Sequence, residues 1–173
     1  MASTFCSTPA KRVERIDMTE LRHTAAGPVA SYHRLVTGAS GLSTIAEAEF
    51  AGFVVRSVGG QAAPTAAIDV PGHFDNVSFL VLPVGWVGDW HESPHPQWVV
   101  ALRGRWFIEA QDGTRVEFGP GDLHWGADQH TTATGAGGHG HRSGQAGNEP
   151  CLLMMIQRVR DECCGENSAD DVQ

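Results

Sequence analysis

Short β-rich runs separated by turn signals constrain the fold of this chain more than any other feature of its sequence. Asp112-Gly113 and Arg103-Gly104 separate neighbouring apolar runs at hairpin spacing. No convincing long helix lies between the runs, so the pattern predicts an all-β sandwich or barrel. The runs are SYHRLV, LSTIAEAEF, GFVVRSV, NVSFLVLPVGWV, QWVVALRG, RWFIEA, TRVEFG, GDLHWG and CLLMMIQRV.

The chain has 173 residues, a length that buries one sizeable core and makes a second full domain unnecessary. We predict an N-terminal arm over residues 1–30, a β-domain over residues 31–159 and an acidic disordered tail over residues 160–173. The glycine-rich stretch TATGAGGHGHRSGQAGNEP indicates a long mobile loop, because glycine weakens the interior of a strand.

Charge and hydropathy exclude several classes of partner. The net charge is −8, and no basic patch suggests binding to nucleic acid. No apolar run reaches the length that spans a membrane, and the N-terminus lacks the apolar core of a signal peptide. We therefore expect a cytoplasmic protein that binds neither nucleic acid nor a membrane. The four cysteines match neither a disulfide framework nor a zinc site.

The run QWVVALRG is apolar on both of its alternating faces. One face carries Gln97, Val99 and Ala101, and the other carries Trp98, Val100 and Leu102. Neither face is polar enough to lie in water, so each must be covered by a second sheet, the arm or a partner subunit. The arm alone is small for this purpose, and we expect a homodimer.

Histidines are concentrated in one window of the chain. Clustered imidazoles favour a metal site, because several ligands must converge on one ion and imidazole binds first-row metals well. Six of the nine histidines lie in a window of about fifty residues: His91, His95, His124, His130, His139 and His141.

Two motifs carry a family resemblance. Gly85 is followed after five residues by His91, and Gln97 precedes Gly104 by six residues. Further on, FGPGDLHWG leads to GGHGHRS, which contains His141. This arrangement resembles the cupin superfamily, and it implies a double-stranded β-helix (jelly-roll) cupin barrel preceded by an N-terminal arm.

The cupin resemblance also implies a metal site. By the match, His91, Gln97 and His141 stand at ligand positions, and the cofactor would be Fe, Mn, Zn or Ni, or no metal if the site has decayed. Ser93 stands where the motif has a second histidine, and Gln97 stands where it has a glutamate. His95 would replace the missing histidine if Pro94 and Pro96 fold the turn inward; otherwise it lies on an exposed turn.

An apolar pocket lined by aromatic residues would suit a small hydrophobic organic ligand. The candidate pocket residues are Trp90, Trp98, His124 and Trp125. Core packing is the alternative role for the tryptophans, and a hydrogen-bonded core histidine is the alternative for His124. We expect His130 and His139 to be exposed to solvent.

Two functions remain open at this point. One is a metal-dependent enzyme of lyase, isomerase, cyclase or dioxygenase type, with the metal held by His91, Gln97 and His141. The other is a non-catalytic small-molecule-binding or sensor cupin with a decayed metal site, which Ser93 and Gln97 favour. Fold resemblance cannot choose between them, because this barrel supports many functions.

Overall fold

The computed structural model describes residues 22–24, 27–134 and 138–158. Most of the predicted arm and all of the predicted tail lie outside these residues. The described part of the chain is all-β and contains no helix long and apolar enough to cross a membrane. Its strands are β1 (Arg22–Thr24), β2 (Gly27–Thr37), β3 (Ser43–Phe50), β4 (Val54–Arg56), β5 (Thr65–Ala67), β6 (Phe74–Leu82), β7 (Gln97–Arg103), β8 (Arg105–Ala110), β9 (Arg115–Phe118), β10 (Leu123–Ala127), β11 (His141–Ala146) and β12 (Cys151–Arg158). The predicted all-β class is confirmed.

The strands from β6 onward pair in nested antiparallel order. β6 pairs with β12, β7 pairs with β10, and β8 pairs with β9. Between β6 and β7, the segment 87–91 meets β11 through the bridges Val87–Gly144 and His91–His141. The first segment thus pairs with the last, the second with the seventh, and so on inward, which is the connectivity of a jelly roll.

This nested order produces two facing sheets. One has the order β6-β12-β7-β10 and is extended by β2, β1 and β3, with β2 running parallel to β10. The other consists of β11, β8 and β9, flanked by the bridged segment 87–91. Because β1 begins at Arg22 and β2 at Gly27, the sheet starts within residues 1–30, which the sequence predicts to be an arm.

The core lies between the two sheets. β7 shows how alternation builds it: Val99 and Ala101 are 3% and 1% exposed, whereas Leu102 on the other face is 42% exposed. Apolar burial of this kind stabilises the fold by about 25 cal/mol per Å² removed from water. The buried cluster comprises Leu35, Leu82, Val99, Ala101, Trp106, Ile108, Ala110, Val116, Phe118, Cys151 and Leu153.

The glycine-rich stretch contains a strand that the sequence did not reveal. Residues His141–Ala146 form β11, which pairs along its length with β8. The prediction of a continuous loop is therefore wrong for this segment. Gly144 is required by packing, because a Cβ there would lie 2.5 Å from the Phe107 ring. Here glycine permits close approach of two elements and does not signal mobility.

Candidate functional site

A cavity of about 160 Å³ lies between the two sheets. Most of its wall is aliphatic or aromatic, and the polar groups are few. Leu80, Leu82, Trp86, Val99, Trp106, Ile108, Leu153 and Met155 form the apolar wall, and His91, Gln97, His124, His141 and Ser143 supply the polar groups.

Two histidines from distant parts of the chain meet at this cavity. His91 precedes β7, whereas His141 begins β11. Each backbone N–H of the pair donates to the other residue's carbonyl oxygen, at 2.9 and 2.8 Å. Their ring centroids lie 4.4 Å apart. His91 is exposed and His141 is 5% exposed, so the pair extends from solvent into the interior.

Both imidazoles are held through Nδ1. The Nδ1 of His91 donates to the backbone carbonyl oxygen of Asp89 at 2.8 Å, since a carbonyl can only accept. The Nδ1 of His141 donates to Asp128 Oδ2 at 2.7 Å. In the neutral tautomer fixed by these bonds, each Nε2 carries a free lone pair. The same arrangement is found for histidines that bind metals, where a second group orients the ring.

Asp128 is the fully buried carboxylate that orients His141. Burial works to raise its pKa, but the hydrogen bond and attraction from His141, together with bonds from Ser93, outweigh burial and hold the pKa below its ordinary value. The backbone N–H of Ser93 donates to Asp128 Oδ1 at 3.0 Å. The carboxyl is therefore ionised and accepts from both neighbours.

His124 lies in the interior among aromatic rings. Its ring centroid is 5.8 Å from that of Trp106 and 5.4 Å from that of Phe118. Burial, and next the proximity of His141, lower the pKa of His124 to about 3, so this imidazole is neutral. Its Nδ1 is buried and has no hydrogen-bond partner among the described residues. This nitrogen is enclosed by protein and is not open to a ligand in the cavity.

Gln97 takes part in a row of three amides that crosses adjacent strands. The Nδ2 of Asn76 donates to Gln157 Oε1 at 2.5 Å, and the Nε2 of Gln157 donates to Gln97 Oε1 at 2.9 Å. The strand registers place Gln157 directly opposite both Gln97 and Asn76. We call this row the amide relay. It runs from the exposed edge strand β6 to the cavity.

The structure does not bring His95 to the cavity. The side chain of His95 is exposed, and it is absent from the cavity wall. The turn instead buries Ser93, which is 2% exposed and is held by Asp128 and by Gln129, whose Nε2 donates to the Ser93 carbonyl oxygen at 2.8 Å. The prolines therefore accompany a turn that carries Ser93 inward and leaves His95 outside.

Three of the four candidate pocket residues also lie elsewhere. Trp98 and Trp125 pack together with ring centroids 4.9 Å apart and planes inclined at 50°, on the face of β7 and β10 that points away from the cavity. Strand alternation explains this placement, because Gln97 and Val99 on either side of Trp98 face inward. Trp90 lies over Gly138 and beneath Arg142, whose Cζ is 5.9 Å from its ring. Only His124 of the four lines the cavity.

The loop between β10 and β11 is fixed to the turn that carries His91. Thr131 donates to Glu92 Oε1 through both its backbone N–H and its hydroxyl, at 2.7 and 2.6 Å. The hydroxyl of Thr131 accepts from the backbone N–H of Gly140 at 2.8 Å. His130 and His139 in this loop are exposed. The bonds to Glu92 hold the start of β11, and so His141, against the cavity.

The donor set fits a metal ion only in part. His91 and His141 present adjacent Nε2 lone pairs, which suits a first-row metal. However, the described residues contain no group of three or more His, Cys, Asp or Glu side chains that could hold a metal. The oxygen of Gln97, the third expected ligand, accepts a hydrogen bond from Gln157. Protein metal sites ordinarily use three or four protein ligands, so one position is not supplied in this arrangement.

Two solved structures resemble the chain. One is a cupin protein from Bacteroides fragilis, with 25% sequence identity, a TM-score of 0.36, and coverage of 56% of this chain and 75% of that chain. The other is a protein from Neisseria meningitidis, with 17% identity, a TM-score of 0.36, and coverage of 54% and 90%. No protein-family model and no curated protein matches the sequence.

The nested strand pairing is that of a jelly roll, and the cavity lies between its two sheets. The described part of the chain thus has a jelly-roll fold. Within this candidate site, sequence reasoning missed Asp128, Gln157 and Trp106. Gln157 had a usable signal, because it is the one amide at the end of the apolar run CLLMMI. Asp128 had none, since its role depends on a neighbour thirteen residues away that only the fold brings close.

Proposed function

We propose that this cupin-like protein binds a small, mostly apolar organic molecule in the cavity between its sheets. The observation that carries the proposal is a mostly apolar cavity whose few polar groups include the buried side chains of Gln97 and His124. An engineered apolar cavity of about 150 Å³ accepts benzene. A ligand built on a single ring therefore matches the volume of about 160 Å³.

Replacement of Met155 tests the cavity directly. Met155 lines the cavity, and its neighbour Met154 points to the opposite face of β12. Met155→Trp should fill the cavity and abolish binding of styrene, a planar probe of suitable size, as measured by calorimetry. Met154→Trp adds the same group outside and should leave styrene binding unchanged. Equal styrene affinity in both variants would contradict binding at this cavity.

A metal-dependent enzyme is the second candidate function, and the tethered histidines favour it. Asp128 and the Asp89 carbonyl leave both Nε2 atoms free, as in proteins that bind Fe, Mn, Zn or Ni through histidine. A bound metal would supply Lewis-acid chemistry to an oxygen-containing substrate. His91 and His141 would hold it, and Gln97 would join them only with its oxygen turned toward the cavity. The reaction would then be of lyase, isomerase, cyclase or dioxygenase type.

Metal content across four variants tests this second candidate. His91→Ala and His141→Ala should each lose most of the metal bound at pH 7.5, because each removes one of two imidazoles. His95→Ala and His130→Ala remove exposed imidazoles outside the cavity and should retain it. Untagged parent protein without metal after exposure to Fe, Mn, Zn and Ni would reject the enzyme candidate and leave the ligand-binding proposal standing.

We also propose that the protein is a homodimer. The outer face of the larger sheet supports this, because Val77, Phe79 and Val81 on the edge strand β6 are 54%, 64% and 64% exposed. An apolar ladder on a sheet edge favours association with a second sheet. The face continues across β12 to Leu102 on β7, which is 42% exposed.

A further inference from the structure

The amide relay determines whether a ligand in the cavity meets the oxygen or the nitrogen of the Gln97 side-chain amide. Gln97 Oε1 is engaged by Gln157, and its Nε2 has no hydrogen-bond partner among the described residues. Since Gln97 lines the cavity, the free end of its amide is the N–H donor. The direction is set in turn by Asn76, which donates to Gln157 and so obliges Gln157 to present its own nitrogen to Gln97.

A second N–H group near the cavity lacks a partner, but it is enclosed by protein. Trp106 lines the cavity and is 5% exposed, and its Nε1 is buried without a partner among the described residues. An indole nitrogen can only donate. The Trp106 donor is closed off from the cavity, so the donor that is open in this apolar wall is Gln97 Nε2, which indicates a ligand with an oxygen acceptor.

The charge of the cavity wall restricts the class of ligand further. The lining residues include no Lys, Arg, Asp or Glu. A carboxylate ligand would therefore lose its hydration without meeting a fixed positive charge, and the ionised Asp128 behind His141 would repel it. A neutral carbonyl oxygen satisfies the Gln97 donor without this cost.

We infer that Gln97 is a specificity-determining residue that donates its amide N–H to the carbonyl oxygen of a small neutral ligand, with Gln157 and Asn76 as positioning residues. The inference rests on the proposed ligand-binding function and names the class of ligand. It also gives a physical reason why Gln97 is a poor metal ligand in this arrangement, since its oxygen is turned away from the cavity.

Two probes of matched shape isolate this hydrogen bond. Benzaldehyde and styrene are planar and have the same number of heavy atoms, but only benzaldehyde has a carbonyl oxygen. The parent should bind benzaldehyde roughly five-fold more tightly than styrene, the gain expected from a neutral hydrogen bond. Benzoate, the charged relative, should bind more weakly than benzaldehyde. The carbonyl stretching frequency of bound benzaldehyde should fall relative to its value in an apolar solvent.

Asn76→Asp should reverse the relay from outside the cavity. Asn76 is exposed, and a carboxylate there can only accept, so Gln157 would donate to it and Gln97 would donate to Gln157. The Gln97 oxygen would then face the ligand's carbonyl. At pH 7.5 the benzaldehyde preference should disappear and the carbonyl frequency should rise, while styrene affinity stays unchanged. Gln97→Glu should abolish the preference directly.

Gln61→Glu is the matched control, because it makes the same amide-to-carboxylate change at an exposed position away from the relay. It should keep the parent's preference. Equal affinity of the parent for both probes, a preference for benzoate, or an unchanged preference in Asn76→Asp would overturn the inference while leaving the proposed function intact. Failure of the parent to bind either probe would overturn both.

Discussion

The inner and outer faces of β7 have similar apolar content but opposite roles. On the inner face, Val99 and Ala101 are almost fully buried and Gln97 joins a polar row that leads into the cavity. On the outer face, Trp98 packs beside Tyr32 and Phe50, with ring centroids 5.0 and 5.3 Å away, and Leu102 remains exposed. Hydrophobicity alone thus does not identify the face that lines the candidate site. The polar groups within the apolar wall of the cavity identify that face.

The largest effect should come from removing the carboxylate that supports the inner face. Asp128→Ala leaves the buried His141 Nδ1–H and Ser93 N–H unpaired, and we expect it to lower the free energy of unfolding by about 3 kcal/mol. Leu102→Ala on the outer face should lower it by less than about 1 kcal/mol, because that side chain is already 42% exposed. Urea denaturation measures the free energy of unfolding of both variants. Similar losses in the two variants would contradict the proposed difference between the inner and outer faces of β7.

The pH dependence of stability should also belong to the inner face. The pKa of His124 is lowered to about 3 by burial, whereas an unfolded chain has a histidine pKa of about 6.5. Between these values the unfolded state binds more protons than the folded state. The contribution of His124 to the free energy of unfolding is therefore fully present above pH 6.5. It falls by about 1.4 kcal/mol for each pH unit as the pH decreases toward 3.

Urea denaturation at pH 7 and pH 5 checks this sign, and His124→Gln should flatten the slope. Some dependence should persist in that variant, because burial also lowers the pKa of His33, although Glu47 and Asp122 act against it. His95→Gln, at an exposed position, should keep the parent's slope. A slope of the same size in His124→Gln as in the parent would assign the effect to another group.

The smallest change in intrinsic stability should come from the outer edge. Phe79→Ser removes a side chain that is 64% exposed, so we expect unfolding of the monomer to change by less than about 0.5 kcal/mol. Its effect should instead appear in light scattering at micromolar concentration, as conversion of dimer to monomer. Val54→Ser, at a 59% exposed position on β4, serves as the control. A parent that is monomeric would defeat the dimer proposal.

The sequence predicted the fold class well because strands and turns are local signals. The nine apolar runs correspond to strands, and the all-β jelly roll is confirmed by their pairing. β11 was missed because its composition is dictated by a distant contact: Gly144 is there to admit Phe107, and no local pattern reports that. β-Strand propensity reflects the local preference of a residue and does not report its contacts with residues that are distant in sequence.

The sequence predicted the candidate site where residues match the two cupin-like motifs. It did not predict which face of a strand points toward the cavity. His91 and His141 meet, as the cupin resemblance implied, although their role as metal ligands stays a prediction. Trp98 and Trp125 went to the outer face, because alternation permits either assignment when both faces are apolar. Supporting groups such as Asp128 and Gln157 act through contacts between strands that are far apart in sequence.

The mutual backbone hydrogen bonds of His91 and His141 have a kinetic consequence. Their separation is set by two main-chain bonds and two tethered rings, so the site is preorganised before any ligand arrives. Binding then needs little ordering of side chains, and less of the interaction energy is lost to entropy. For the proposed ligand, the observed association rate should rise linearly with ligand concentration, without the plateau that a slow rearrangement would impose.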